Sequence, residues 1–373
     1  MLETKKRETI LIFTSKEKAH ITDALKMQLS VLNPELLIII FDVDELYVRV
    51  LPDFFTSQLK LQLNITRIGH SIKTKKSESN INELRKYDLE FKNQISYRRM
   101  ENIFLRYSPK AVILTSVDGL EEATSVRNKF NSNIKVFLYD TELLINKQFL
   151  NPYVDKLIVS NQISANRVKE NEIDFSKILT AGIAFPKDYE KPIFRADANK
   201  KLGLVDKKRT LLFLIDDEEK EEQMKSLIST LSNHLEKYNI LIWSRKNEAI
   251  SKVALIAGYN VYNQESIDFN ILLSAANVII TRPNSYFFTI AFKTQKLCVS
   301  FGNANNLEKA IVEEYEDQIV ECKTLIRLNN FLTLYPNEDY EKKRLKAADF
   351  EYNNPAQVIN EELKNIEYKG AAF

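Results

Sequence analysis

The feature that most narrows the possible folds is a rhythm. Short runs of Ile, Val, Leu and Phe recur along the chain, with longer amphipathic segments between them. In the first half the runs lie at 10–14, 36–41, 111–115, 136–139, 157–160 and 178–180. In the second half they lie at 210–215, 240–243, 278–281, 297–301 and 318–320. A strand with one wet face alternates apolar and polar residues, whereas runs this apolar fit strands buried on both faces of a parallel sheet. Between them, segments such as 18–32 and 222–237 carry the spacing of amphipathic helices. Alternating strands and helices require right-handed crossovers, so an α/β protein with doubly wound sheets is expected.

The rhythm breaks once. Residues 184–192 carry Pro186 and Pro192 among Lys187, Asp188, Glu190 and Lys191, the composition of a linker. A short helix stopped by Gly203 follows, and a new strand opens at Thr210. With 373 residues, about twice the usual size of a domain, the chain reads as two Rossmann-like domains, 1–190 and 195–345, and a terminal helical segment, 346–373. Two open parallel sheets facing a cleft bind ligands between them, at the carboxyl ends of the strands. Residues 71–90 are polar and charged and read as a loop or an exposed helix start.

Composition excludes several classes. The net charge is +2 with both signs interspersed, so no nucleic-acid partner is expected. There are two cysteines; Cys298, within an apolar run, reads as a buried free thiol, and so low a count points to a reducing compartment. The apolar run at 10–13 is too short for a signal-peptide core, and no run reaches the roughly 18 residues of a spanning helix. A cytoplasmic protein is expected, with contact to a membrane face from outside left open. No metal-ligand spacing, Walker loop or Gly-x-Ser-x-Gly elbow is present, and neither metal nor cofactor is expected. Glycine is scarce, at seven residues. Any chemistry that needs glycine-rich loops must be built from those seven.

The order of segments resembles a family. Ile10 to Thr14 leads through Ser15, Lys16, Glu17, Lys18 and Ala19 to His20 and an Ala/Leu-rich helix. Tyr107-Ser108-Pro109-Lys110 precedes a strand, Val136 to Tyr139 ends in Asp140, and Val154-Asp155-Lys156 opens the next strand. Thr180-Ala181-Gly182-Ile183-Ala184 stands at the junction, Lys201-Leu202-Gly203-Leu204 opens the second half, and Ala275-Ala276-Asn277-Val278-Ile279-Ile280-Thr281-Arg282-Pro283 lies beyond it. Together these resemble UDP-sugar-dependent lipid glycosyltransferases of the monogalactosyldiacylglycerol-synthase and MurG type, over residues 10 to about 320. The resemblance implies the glycosyltransferase-B architecture, a UDP-sugar donor and a lipid-linked acceptor at a membrane surface. It also implies metal-independent inverting transfer.

The departures from that pattern fall at the chemistry. The family's glycines bring backbone close to a diphosphate at helix N-termini. Here the corresponding positions are Glu17 and Ala19 in the first loop, the acidic run 216–222 after the strand at 210, and Asn284 and Ser285 after Pro283. The family's ribose-binding Glu is Ile290. His20 and Asp140 remain as candidates for handling the acceptor proton, against plainer roles as a helix-start packing residue and a helix cap. Asn284, Ser285, Arg245, Asn247 and Arg282 are donor-site candidates, against helix capping and surface ion pairs. Phe54, Phe55, Leu59, Leu61 and Leu63 would give a membrane-facing surface or a helix core. Two functions are therefore expected: sugar transfer from a UDP-sugar to a lipid-linked acceptor, or a catalytically inactive relative acting through binding or assembly.

Overall fold

The computed structural model describes residues 8–47, 95–130, 133–171, 174–186, 189, 193–215, 221–244, 259–263, 266–302 and 304–366. The 71–90 loop, the apolar residues from Phe54 to Leu63, the turn 216–220, Arg245 and Asn247 lie outside the described residues.

Two six-stranded sheets carry the fold. The first has β1 (Thr9–Thr14), β2 (Leu37–Asp42), β3 (Ala111–Leu114), β4 (Lys135–Tyr139), β5 (Lys156–Val159) and β6 (Ile178–Thr180), in the order β2-β1-β3-β4-β5-β6. The second has β7 (Arg209–Ile215), β8 (Tyr238–Ser244), β9 (Asn260–Tyr262), β10 (Val278–Thr281), β11 (Leu297–Phe301) and β12 (Ile319–Cys322), in the order β12-β11-β10-β7-β8-β9. Every pairing among the described residues is parallel, as with Ile10 opposite both Ile38 and Ala111. The central strands β1, β3, β8 and β10 are buried throughout, and β7 is buried from Thr210 onward, as their apolar runs require. In each sheet the chain first builds outward on one side and then on the other. The reversal falls between β1 and β3 in the first sheet and between β7 and β10 in the second.

The sheets are joined into one body. A single buried apolar cluster contains Ile10, Ile12 and Ile113 of the first sheet with Leu212, Leu241 and Ile279 of the second. Separate clusters cover the outer face of each sheet. The Pro355–Lys364 helix returns to the first domain, where it packs on the Ala19–Leu32 helix, and Glu362 pairs with Lys156 of β5 at 3.1 Å. Gln28, buried on the first helix, donates to the Phe185 carbonyl at 2.7 Å. Gly182 has no room for a side chain: a Cβ there would lie 2.2 Å from the Tyr352 ring and 2.9 Å from the Asn353 carbonyl.

Gly203 ends the Arg195–Leu202 helix in the left-handed conformation at φ 65°, the stop read from the sequence. Cys298 and Cys322 are both buried free thiols, and burial pushes both upward in pKa. No helix among the described residues is long and apolar enough to cross a membrane.

Candidate functional site

Ligands of doubly wound sheets bind beyond the carboxyl ends of the strands where the strand order reverses. In the first sheet that place follows β1 and β3, and in the second it follows β7 and β10. His20 stands one turn beyond β1, and Asn284 and Ser285 follow β10. The fold thus carries three of the sequence candidates to the two reversal points, and Asp140, at the end of β4, to the strand beside β3.

The first reversal point is filled by hydroxyls. Thr22 and Thr115 each donate to Thr14 Oγ1 at 2.8 Å, and all three threonines are buried. A glycine turn would leave this crevice open to a phosphate. Three bridged side chains close it.

The second reversal point is capped by the other domain. Asn284 is the N-cap of the Ser285–Lys293 helix, its Oδ1 accepting from the Phe287 N–H at 3.1 Å. Ser285 Oγ donates to Glu142 Oε2 at 2.7 Å and accepts the Leu143 N–H at 3.0 Å. Both partners belong to the loop after β4, in the first domain. A carboxylate therefore sits on the first residue of the helix, where the unpaired N–H groups and the helix dipole favour an anion. Lys18 Nζ lies 3.7 Å from Glu142 Oε1. His20 meets Tyr286 edge-on across the same interface, with ring centroids 4.4 Å apart. From Tyr286 the aromatic contacts continue to Phe287 at 5.3 Å and to Trp243 at 6.0 Å.

Asp140 holds the loop that presents Glu142. Its carboxylate is 1% exposed and accepts the N–H groups of Glu142 and Asn146, both at 3.1 Å. Burial raises its pKa from 3.8 to about 7; Lys18 pulls it back and Glu142 pushes it further up. The alternative reading of Asp140 as a helix cap meets a difference. Residues 141–146 form a loop rather than a helix, because three of the loop's polar contacts come from later in the chain. Asn161 Nδ2 and Ser164 Oγ donate to the Leu143 carbonyl at 2.7 and 3.1 Å, and Ser160 Oγ donates to the Glu142 carbonyl.

Arg282 is half-buried just after β10. Ile290, where the resemblance implied a ribose-binding Glu, is 1% exposed within the cluster that joins the two domains. Sequence reasoning missed Glu142, Lys18 and Tyr286. Glu142 follows Asp140 by two residues, which was a local hint, but its partner Ser285 lies 143 residues away.

No family model matches the sequence, and no curated protein matches it. Solved structures do match. MurG from Acinetobacter baumannii is 12% identical with a TM-score of 0.61, over 96% of this chain and 99% of that one. The MnaA–UDP co-structure from S. aureus is 12% identical with a TM-score of 0.62, over 97% and 96%. UDP-GlcNAc 2-epimerase from Neisseria meningitidis bound to UDP-GlcNAc is 14% identical with a TM-score of 0.58, over 96% and 100%. Likeness at this level of identity speaks to architecture, and with the two facing parallel sheets it establishes that the chain has the glycosyltransferase-B fold.

Proposed function

We propose that this chain is a glycosyltransferase-B relative whose transfer site has become an interdomain joint, and that it acts through binding or assembly rather than sugar transfer. The observation that carries this reading is the Glu142 carboxylate seated on Ser285 Oγ at 2.7 Å. A diphosphate arriving at the same helix start would meet a negative charge. At 4 Å two unit charges repel by about 4 kcal/mol at a surface-like dielectric, close to the whole binding free energy of a millimolar ligand. The threonine-filled crevice after β1 and the buried Ile290 support the same reading.

A second reading is UDP-sugar transfer to a lipid-linked acceptor at a membrane surface. The neighbours crystallised with UDP or UDP-GlcNAc favour it, as does Asp140, whose pKa of about 7 suits a general base. In that reading Asp140 or His20 takes the acceptor proton, and the Ser285–Lys293 helix holds the donor diphosphate once Glu142 has swung away.

The test is UDP release from a panel of UDP-sugars, with and without polyprenyl-phosphate and diacylglycerol acceptors. The binding reading expects no release above the protein-free rate. Turnover that is lost in Asp140→Asn, with the variant still folded by circular dichroism, would establish the second reading instead.

A further inference from the structure

The second sheet has another concave feature, at the amino ends of its strands. A cavity of about 330 Å³ opens between Tyr189, the Phe269–Ala275 helix and the turn joining the Ser285–Lys293 helix to β11. Ser274 and Lys296 in its wall precede β10 and β11, whereas Asn284 follows β10, so the cavity and the interdomain joint lie at opposite ends of the same parallel strands.

Among the described residues its charge is one-sided: Lys293 and Lys296 both line it, and no Asp or Glu does. Lys296 is half-buried, and its ammonium makes no hydrogen bond or ion pair with any described residue. Burial lowers its pKa to about 8, and the positive charges of Arg195 and Arg344 act in the same direction. Arg344 has Glu341 at 2.7 Å, but that carboxylate also serves Arg209 at 3.2 Å. Among the described residues, Arg195 donates to the Lys208 carbonyl at 3.1 Å and has no carboxylate partner. Lys293 rests on the Tyr352 ring, 4.5 Å from its centroid.

The backbone holds Lys296 in place at a cost. Gln295 adopts φ 54°, a left-handed conformation that a non-glycine residue takes rarely and under strain. The turn tucks the next residue under the helix, where the Lys296 N–H donates to the Ala291 carbonyl at 2.8 Å. A strained turn that half-buries an ammonium with no partner among the described residues lacks an electrostatic reason there. A bound anion would supply one.

We propose that this cavity binds a phosphate monoester on a small organic body, with Lys293 and Lys296 meeting the phosphate and Tyr189 and Leu273 covering the body. A phosphate monoester carries about −1.5 to −2 at neutral pH, which matches two ammonium groups. The cavity stands at the small end of the range for small-molecule pockets, roughly 300–1,000 Å³. The proposal is independent of whether the cleft between the domains transfers sugar.

The test uses the full-length protein with glycerol 3-phosphate as the probe. Lysines are acetylated with acetic anhydride at a pH near 8 and each site is followed by mass spectrometry, with exposed Lys207 as the internal control. With the probe about tenfold above its dissociation constant, Lys296 labelling should slow by about tenfold. Lys207 should be unaffected, and glycerol alone should protect neither. In calorimetry, Lys296→Gln should lose the saturable heat of glycerol 3-phosphate binding while keeping the wild-type melting temperature. Lys296 labelling that millimolar glycerol 3-phosphate does not slow in a saturable way would overturn the proposal, and that result needs no variant. Equal protection by glycerol, or unchanged affinity in Lys296→Gln, would overturn it as well.

Discussion

Replacing Ser285 with Ala removes one hydroxyl from the joint between the domains and leaves the apolar packing in place. Two interactions go with it. The first is the bond from Ser285 Oγ to Glu142 Oε2 at 2.7 Å, a hydrogen bond to a charged group. Such bonds contribute about 1.5–3 kcal/mol, and because the Glu142 side chain is 28% exposed and water can replace the donor, the lower end applies. The second is the acceptor for the Leu143 N–H, now at 3.0 Å; Leu143 is fully buried, and an orphaned buried donor costs about 1–3 kcal/mol. The sum is a loss of about 2.5–4.5 kcal/mol. Urea unfolding followed by far-UV circular dichroism and by the fluorescence of the single tryptophan, Trp243 on β8, would measure it. The midpoint should fall by that amount divided by the slope, with the slope itself unchanged. A loss under about 0.5 kcal/mol, the range of an ordinary surface substitution, would refute the reasoning and mean that Ser285 does not hold the domains together.

Other substitutions test the surrounding parts. Asp140 keeps its proton in the folded state up to about pH 7, whereas the unfolded chain releases it near 3.8. Its contribution is therefore complete below the lower value and lost as pH rises through the upper one. Urea unfolding across that window should show wild-type stability falling with pH more steeply than in Asp140→Asn, and parallel curves would contradict the assignment. Gly182→Ala would place a methyl against the Asn353 backbone and the Tyr352 ring, and overpacking of this kind typically costs about 1–3 kcal/mol. Limited proteolysis should then release the C-terminal segment first, and a wild-type digestion pattern would count against that packing. Gln28→Ala leaves the Phe185 carbonyl without its 2.7 Å donor and should destabilise by about 1–3 kcal/mol in the same unfolding assay; a neutral result would mean that water replaces the amide.

The sheets were legible because burial on both faces leaves its mark in consecutive residues. The runs read from the sequence coincide with strands of the two sheets. The strand Asn260–Tyr262 leaves no such mark, since three residues opening on a polar one give no run. The helix at 95–107 is equally faint in the sequence. Its buried residues Ser96, Met100 and Phe104 recur at helical spacing, but arginines and a glutamate between them dilute the pattern.

The candidate site was legible in its positions and not in its use. His20, Asn284 and Ser285 follow strands whose order reverses, so the fold carries them to the cleft. Asn284 does what its residue type predicts at a helix start. What occupies the helix start is set by the other domain. Nothing local to Glu142 marks it as the partner of Ser285, because that pairing exists only once two separately folded sheets face each other.

The central claim is that Glu142 holds the place a donor diphosphate would take. Titrating UDP into the wild-type protein and into Glu142→Gln by calorimetry tests it most directly. The account predicts no saturable heat from the wild type at millimolar UDP. It predicts measurable binding once the charge is removed, since relief of about 4 kcal/mol of repulsion is comparable to the whole affinity of a millimolar ligand. Saturable wild-type binding in the micromolar range, unchanged in Glu142→Gln, would contradict it and return the cleft to the transferases.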